Sequence, residues 1–205
     1  MNYISNVLYW ISTGLLVPVV VLLIIFFIRS ILLIGSFFGQ YITVKRTNSI
    51  LKTAINNINA DNIETLKEQL PQKNSSLVIE YITRILEVKN SRTHINRLLS
   101  EYEIAADKDL STSKTLIKMG PMLGLMGTLI PMGPALVGLS TGDISSMAYN
   151  MQVAFATTVV GLFSSGIGFM TQQVKQRWYV QDLSNLEFIS ELLKERNNHE
   201  KAPVK

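Results

Sequence analysis

Residues 119–142 read MGPMLGLMGTLIPMGPALVGLSTG and, after Asp143, residues 144–174 read ISSMAYNMQVAFATTVVGLFSSGIGFMTQQV. Neither stretch contains a charged side chain, and each is longer than the roughly 20 apolar residues that a helix needs to cross a bilayer. The two stretches therefore predict two membrane-spanning helices, at residues 117–139 and 146–171, joined by a short polar loop.

The N-terminal part of the 205-residue chain predicts a third span. Residues 1–28 and 30–44 are also uncharged, and a helix from Trp10 to Arg29 extends about 28 Å, close to the hydrocarbon thickness. Of all the charged residues, only Arg29 and Asp143 lie outside residues 45–118 and 175–205. We predict an all-α membrane protein with three transmembrane helices, and we exclude an ordinary soluble enzyme.

The positions of the basic residues predict the orientation. Residues 45–118 contain 12 Lys and Arg and the tail 175–205 contains six, whereas the loop between the last two spans contains none. Because basic loops stay on the cytoplasmic side, we expect the N-terminus and the hairpin loop outside and the C-terminus in the cytoplasm. The expected location is the cell membrane, as a multi-pass protein.

The chain divides into four predicted regions. Residues 1–44 form the N-terminal transmembrane helix and its extension, 45–116 a cytoplasmic helical region, 117–172 the transmembrane hairpin, and 173–205 a cytoplasmic C-terminal helix and tail. Apolar residues recur near a 3.6-residue period between Leu77 and Tyr102 and again between Val180 and Leu193. This pattern predicts long cytoplasmic helical extensions.

Small residues form a stripe along one face of each hairpin helix. Small side chains let helix backbones approach closely in lipid, where the hydrophobic effect does not drive association. Packing between the two helices explains any single small residue, but two stripes predict a further surface towards a partner or another subunit, and hence a homo-oligomer. The stripe residues are Gly120, Gly124, Gly127, Pro131, Ala154, Gly161, Ser165 and Gly168.

Threonines near mid-span are the candidate ion-pathway residues. Thr128 and Thr158 lie on the stripes at matching distances from the hairpin loop. A lone threonine in a membrane helix often bonds only to a carbonyl one turn earlier, which is the alternative to a functional role. If several copies assemble, the two hydroxyls would line a polar lumen, with Thr157 and Gln152 as secondary pathway candidates.

The two hairpin spans contain no Asp, Glu, His or Lys between their edge residues. A proton relay needs a titratable group in the membrane, so an ion-carrying carboxylate would have to come from another chain. With no cysteine and two isolated histidines, the sequence predicts no catalytic residue, no metal site and no cofactor. The basic residues of 45–118 alternate with nine acidic ones, which argues against nucleic-acid binding.

The hairpin resembles the MotA/TolQ/ExbB proton-channel family. The similar segments are MGPMLGLMGTLIPM at 119–132, a short loop containing Gly-Asp, VAFATTVVGLFSSGIG at 153–168 and the basic-aromatic exit QQVKQRWY at 172–179. The resemblance implies an ExbB/TolQ-like pentamer around two helices of a single-span ExbD/TolR/MotB-like partner, whose membrane Asp carries the proton. It also implies that Thr128 and Thr158 line the lumen near that Asp in a motor subunit driven by ion flow.

Three features depart from the family pattern. Val153 lies five residues before Thr158, where many ExbB- and TolQ-like members carry Glu. The prolines at Pro131 and Pro134 replace a usual Gly-Met ending and predict a locally broken helix. The missing Glu leaves a second hypothesis, a non-conducting structural membrane scaffold of the same architecture, whereas a small-molecule transporter would need an inverted repeat or a second bundle. The cytoplasmic block is also much shorter than the torque domain of MotA-like members, which argues against a flagellar stator.

Overall fold

The computed structural model describes residues 2–56, 58, 62–63, 66–70, 76–88 and 91–201. Within these ranges the regular structure is helical, and no strand occurs in them. The α-helices are α1 (Asn2–Gly14), α2 (Leu16–Asn56), α3 (Leu66–Gln69), α4 (Leu77–Glu87), α5 (Arg92–Thr141) and α6 (Ile144–Lys201).

Three helical segments of the described chain are long and apolar enough to cross a membrane. They are Asn6–Ile55, Arg92–Thr141 and Ile144–Arg196. The prediction of an all-helical membrane protein with three long apolar helices is confirmed. The first segment includes the junction of α1 and α2 at Leu15, where Pro18 has no amide hydrogen to donate to the Gly14 carbonyl one turn earlier.

The predicted break at Pro131 and Pro134 is wrong, because α5 remains helical through Pro121, Pro131 and Pro134. Each proline removes one backbone hydrogen bond, which a membrane helix tolerates when a neighbouring group bonds to the freed carbonyl. For Pro121 that group is visible. The carbonyl of Ile117, one turn before it, accepts a hydrogen bond from the Ser165 hydroxyl of α6 at 3.2 Å.

The helices contribute to two compact units, each built from separated parts of the chain. The apolar unit comprises Met1–Ser36 and Ser111–Gln173, and the polar unit comprises Phe37–Leu110 and Val174–Lys205. In the apolar unit, buried apolar side chains of α2 and α5 pack together: Val19, Leu23, Leu123 and Ile130. The rings of Phe27 and Phe163 add a contact between α2 and α6, with centroids 5.9 Å apart.

The polar unit has a larger apolar core, to which α2, α4, α5 and α6 all contribute. Full burial of each large side chain contributes roughly 1.5–3 kcal/mol. The apolar residues that predicted amphipathic helices between Leu77 and Tyr102 and between Leu183 and Leu193 belong to this core or pack against it, whereas Val180 is exposed. Its most deeply buried large side chains include Leu51, Ile82, Ile85, Tyr102, Leu186, Ile189 and Leu193.

A buried ion pair joins α5 and α6 in the polar unit. Lys175 is 2% exposed, and its Nζ donates to Asp109 Oδ2 at 2.8 Å. The Tyr179 hydroxyl donates to the same oxygen at 2.6 Å. Burial by itself raises the pKa of Asp109. The hydrogen bonds from Lys175 and Tyr179 lower it by a larger amount, so the net pKa lies below the usual value.

Asp109→Asn is expected to lower the free energy of unfolding by about 2 kcal/mol. The substitution leaves the buried Lys175 ammonium without a counter-charge, and breaking fully buried pairs costs about 3–5 kcal/mol. We expect less here because the Asp109 side chain is 34% exposed, so that water screens it. Chemical unfolding in nonionic detergent measures the change.

The matched control for this prediction is Glu87→Gln. Glu87 forms an ion pair with Lys67 at 3.2 Å in which both side chains are more than half exposed. Such surface pairs contribute about 0–1 kcal/mol. Equal losses of stability in the two variants would contradict a special contribution from the buried pair.

Candidate functional site

The turn between α5 and α6 positions the hairpin and follows from its sequence. Gly142 has a φ of 74°, a left-handed conformation that glycine adopts without strain. The amide of Asp143 donates to the Gly138 carbonyl at 2.8 Å and that of Gly142 to the Leu139 carbonyl at 3.2 Å, which is the Schellman arrangement. Asp143 Oδ1 then caps α6 by accepting from the Ser146 amide at 3.0 Å.

Glycines bring the backbones of α5 and α6 into direct contact. A Cβ atom added to Gly161 would lie 2.6 Å from the Gly120 carbonyl oxygen and 3.0 Å from the Gly124 Cα. One added to Gly120 would lie 2.7 Å from the Gly161 oxygen. Further along, Gly168 packs against Ser113 and Leu116, where an added Cβ would meet both at 3.0 Å. Gly120, Gly124 and Gly161 therefore contact one another within one chain, and Gly168 contacts residues of α5 that lie outside the stripe.

Thr157 occupies the position opposite Gly127. A Cβ added to Gly127 would lie 2.6 Å from both Cβ and Oγ1 of Thr157. Thr157 is 7% exposed, and its hydroxyl is within hydrogen-bonding distance of the Ala154 carbonyl at 2.9 Å and the Val153 carbonyl at 3.1 Å. The geometry therefore gives Thr157 a packing position between the helices.

Thr128 and Thr158 are half-buried, and their hydroxyls bond within their own helices. Thr128 Oγ1 donates to the Leu125 carbonyl at 2.7 Å, and Thr158 Oγ1 donates to the Ala154 carbonyl at 3.2 Å. A hydroxyl that has donated its hydrogen still has oxygen lone pairs free to accept. Both threonines can therefore accept a hydrogen bond from a group that approaches the hairpin.

The remaining predicted residues differ in exposure. Gln152 is exposed on α6 and lines an apolar groove with neighbours that include Phe155 and Val159. Pro131 and Ala154 are buried. The roles assigned to the pathway and stripe residues stay predictions.

Sequence reasoning missed one contact that orders the hairpin, the hydrogen bond from Ser165 to the Ile117 carbonyl. A signal for it exists, because a proline frees the carbonyl four residues earlier and here Pro121 frees that of Ile117. What the sequence does not indicate is which hydroxyl on α6 reaches that carbonyl, since Ser164 bonds instead to Val160 of its own helix.

The described residues contain no group of three or more His, Cys, Asp or Glu side chains placed to hold a metal ion. The hairpin offers hydroxyl and carbonyl oxygens and an exposed amide. Such groups can solvate an ion or accept a hydrogen bond from a proton donor, but they do not titrate near neutral pH. Between Lys118 and Lys175 the only acidic residue is Asp143, which caps α6 in the turn, so a proton relay through the two spans would need an acid from another chain.

Comparison with known proteins gives one match. The sequence pattern described as the MotA/TolQ/ExbB proton channel family matches residues 48–187, which is more than half of the chain. The matched region includes the whole of the hairpin and its turn. A search of curated proteins found no match.

Proposed function

The chain belongs to the MotA/TolQ/ExbB proton channel family, and we propose that it is the channel-forming, stator-type subunit of an ion-driven membrane motor. Five copies surround helices of a single-span partner of the ExbD/TolR/MotB-like kind, which carries the titratable Asp. The ion is a proton. The complex lies in the cell membrane, with the N-terminus outside and the polar unit and the C-terminus in the cytoplasm.

The hydrogen-bonding state of Thr128 and Thr158 is the observation that supports this proposal most directly. Both hydroxyl hydrogens point to backbone carbonyls, so each oxygen is left as an acceptor on a half-buried surface. A protonated carboxyl group is a donor, and an apolar surrounding strengthens the resulting hydrogen bond. The partner Asp would therefore be held in its protonated form next to these threonines.

The packing of the stripes limits which surfaces are left for assembly. The stripe glycines already make contacts within the hairpin. Contacts with other subunits and with the partner are therefore made by the large apolar side chains that a single chain leaves exposed. On α5 and α6 these include Met122, Leu125, Leu129, Phe155, Val159 and Leu162. In the ring, some of these side chains contact protein and the others contact lipid.

Co-purification with the product of a neighbouring gene tests the proposal. We expect a single-span protein with a membrane Asp near its N-terminus to purify with this chain, and native mass spectrometry to give five copies with two partner chains. Vesicles containing the complex are expected to take up protons, and Asp→Asn in the partner is expected to abolish uptake. A ring that contains no partner would overturn the motor proposal.

The second candidate is the non-conducting scaffold of the same architecture. The specific observation in its favour is Val153, an apolar residue at the position where many family members carry Glu. An assembled complex with its partner that shows no proton uptake at any membrane potential would favour the scaffold. Uptake of sodium ions instead of protons by these vesicles would support the motor proposal and change only the identity of the ion.

A further inference from the structure

The polar unit contains a cavity of about 670 Å³. This volume falls within the roughly 300–1,000 Å³ that small-molecule sites occupy. Side chains from α2, α4, α5 and α6 line it. The described lining residues carry three carboxylates and one lysine: Glu80, Asp109, Asp182 and Lys108.

Two of the three carboxylates have water or a counter-charge available. Asp109 accepts from Lys175 and Tyr179, as described above. Glu80 is exposed, as is Lys108, so solvent reaches both. The lining therefore leaves only Asp182 as a buried carboxylate without a basic partner among the described residues.

Asp182 is 4% exposed and incompletely hydrogen-bonded. Its Oδ2 accepts from the Tyr102 hydroxyl at 3.3 Å, whereas its Oδ1 is buried and has no hydrogen-bond partner in the described structure. Leaving a charged oxygen buried and unpaired is costly. Burial raises the pKa of Asp182 to about 6, although the hydrogen bond from Tyr102 lowers it. The chemical group that complements such a carboxylate is a hydrogen-bond donor that also carries positive charge.

We propose that the cavity binds a small organic cation whose ammonium group pairs with the Asp182 carboxylate. A divalent metal fits poorly, because the described residues contain no cluster of three metal-ligating side chains. An anion is disfavoured by the excess of carboxylates in the lining. Trp178 and Tyr179 also line the cavity, and aromatic rings attract organic cations.

Thermal unfolding of the full chain in nonionic detergent tests the site, with putrescine as the probe at pH 7.5. Saturating putrescine is expected to raise the Tm of the unmodified protein by about 3 °C or more. Asp182→Asn should abolish the rise. Glu187→Gln, which removes an exposed carboxylate from the same helix, should leave it unchanged. The uncharged analogue 1,4-butanediol should have no effect.

A Tm unaffected by putrescine, or an equal rise in Asp182→Asn, would overturn the site. Without ligand, Asp182→Asn is expected to have a higher Tm than the unmodified protein at pH 7.5, because it removes an unpaired buried charge. The folded pKa of about 6 lies above the usual unfolded value near 3.9, so this charge costs stability in full above pH 6, and the cost disappears as the pH falls from 6 towards about 4.

If Asp182→Asn does not fold, the pH dependence of binding decides. The putrescine-induced rise in Tm should shrink at pH 5, where Asp182 is protonated and no longer a charged acceptor. The neighbouring groups that face it, Tyr102 and Tyr179, stay neutral over this range because their pKa values are raised by burial. An equal rise at pH 5 and pH 7.5 would overturn the proposal, and none of these measurements depends on ion transport.

Discussion

Thr158→Val is expected to reduce proton uptake by the purified complex in vesicles by about tenfold to a hundredfold. Valine has nearly the shape of threonine but cannot accept a hydrogen bond from the partner Asp or from water. A hydrogen bond to a group that becomes charged contributes about 1.5–3 kcal/mol, and each ~1.4 kcal/mol on a barrier is tenfold in rate. We expect Thr128→Val to act in the same direction, because its hydroxyl has the same bonding pattern.

Thr115→Val provides the matched control for this experiment. Thr115 is exposed, and its hydroxyl donates to the Ser111 carbonyl at 2.8 Å in the same intrahelical manner. It lies outside the predicted span, so its loss should leave uptake unchanged. Unchanged uptake in Thr158→Val and in Thr128→Val, with the complex still assembled, would remove both residues from the pathway.

Gly161→Val is expected to destabilise the hairpin by about 3 kcal/mol or more and to prevent assembly of the complex. The new Cβ would lie 2.6 Å from the Gly120 carbonyl oxygen, so backbone atoms of two helices have to separate. Overpacking usually costs about 1–3 kcal/mol when side chains can adjust. The cost is expected to be larger here because the new Cβ meets a backbone atom, which cannot move without its helix. Thermal unfolding in detergent and size-exclusion chromatography measure the two effects.

Gly166→Val is the control for Gly161→Val, since it lies on the same helix five residues later. An added Cβ at Gly166 meets nothing within 4 Å, so the same substitution there brings no clash within the chain. Valine also has a slightly better helix propensity than glycine, so the stability of the isolated chain should not fall. Equal loss of stability in both variants would mean that helix contact at Gly161 is not the cause.

Several features of this protein follow from local sequence alone. Lack of charge over more than 20 consecutive residues indicates a span, because a charged side chain in lipid is costly wherever it lies. Gly142 and Asp143 end one helix and begin the next through bonds to residues no more than five positions away. The family motifs also lie within one continuous hairpin. For these features, neighbours along the chain are neighbours in space.

Other features depend on contacts between residues far apart in the chain. Sequence spacing placed Thr128 and Thr158 on the facing stripes, but the residue opposite Gly127 is Thr157. Adjacent helical residues differ by about 100° around the axis, so the rotation of α6 against α5 decides which hydroxyl is buried and which stays accessible. The continuity of α5 at Pro121 likewise depends on Ser165, which is 48 residues away.

The sequence by itself determined three long apolar helices, a tight hairpin and membership of a channel family, because these depend on composition and short-range order. Only the tertiary structure decided that the glycine stripes are occupied within the chain and that Asp182 is buried beside a cavity. Tyr102 and Asp182 are 80 residues apart and meet only when α5 and α6 pack. No periodicity along the chain specifies which buried oxygen is left unpaired by that packing.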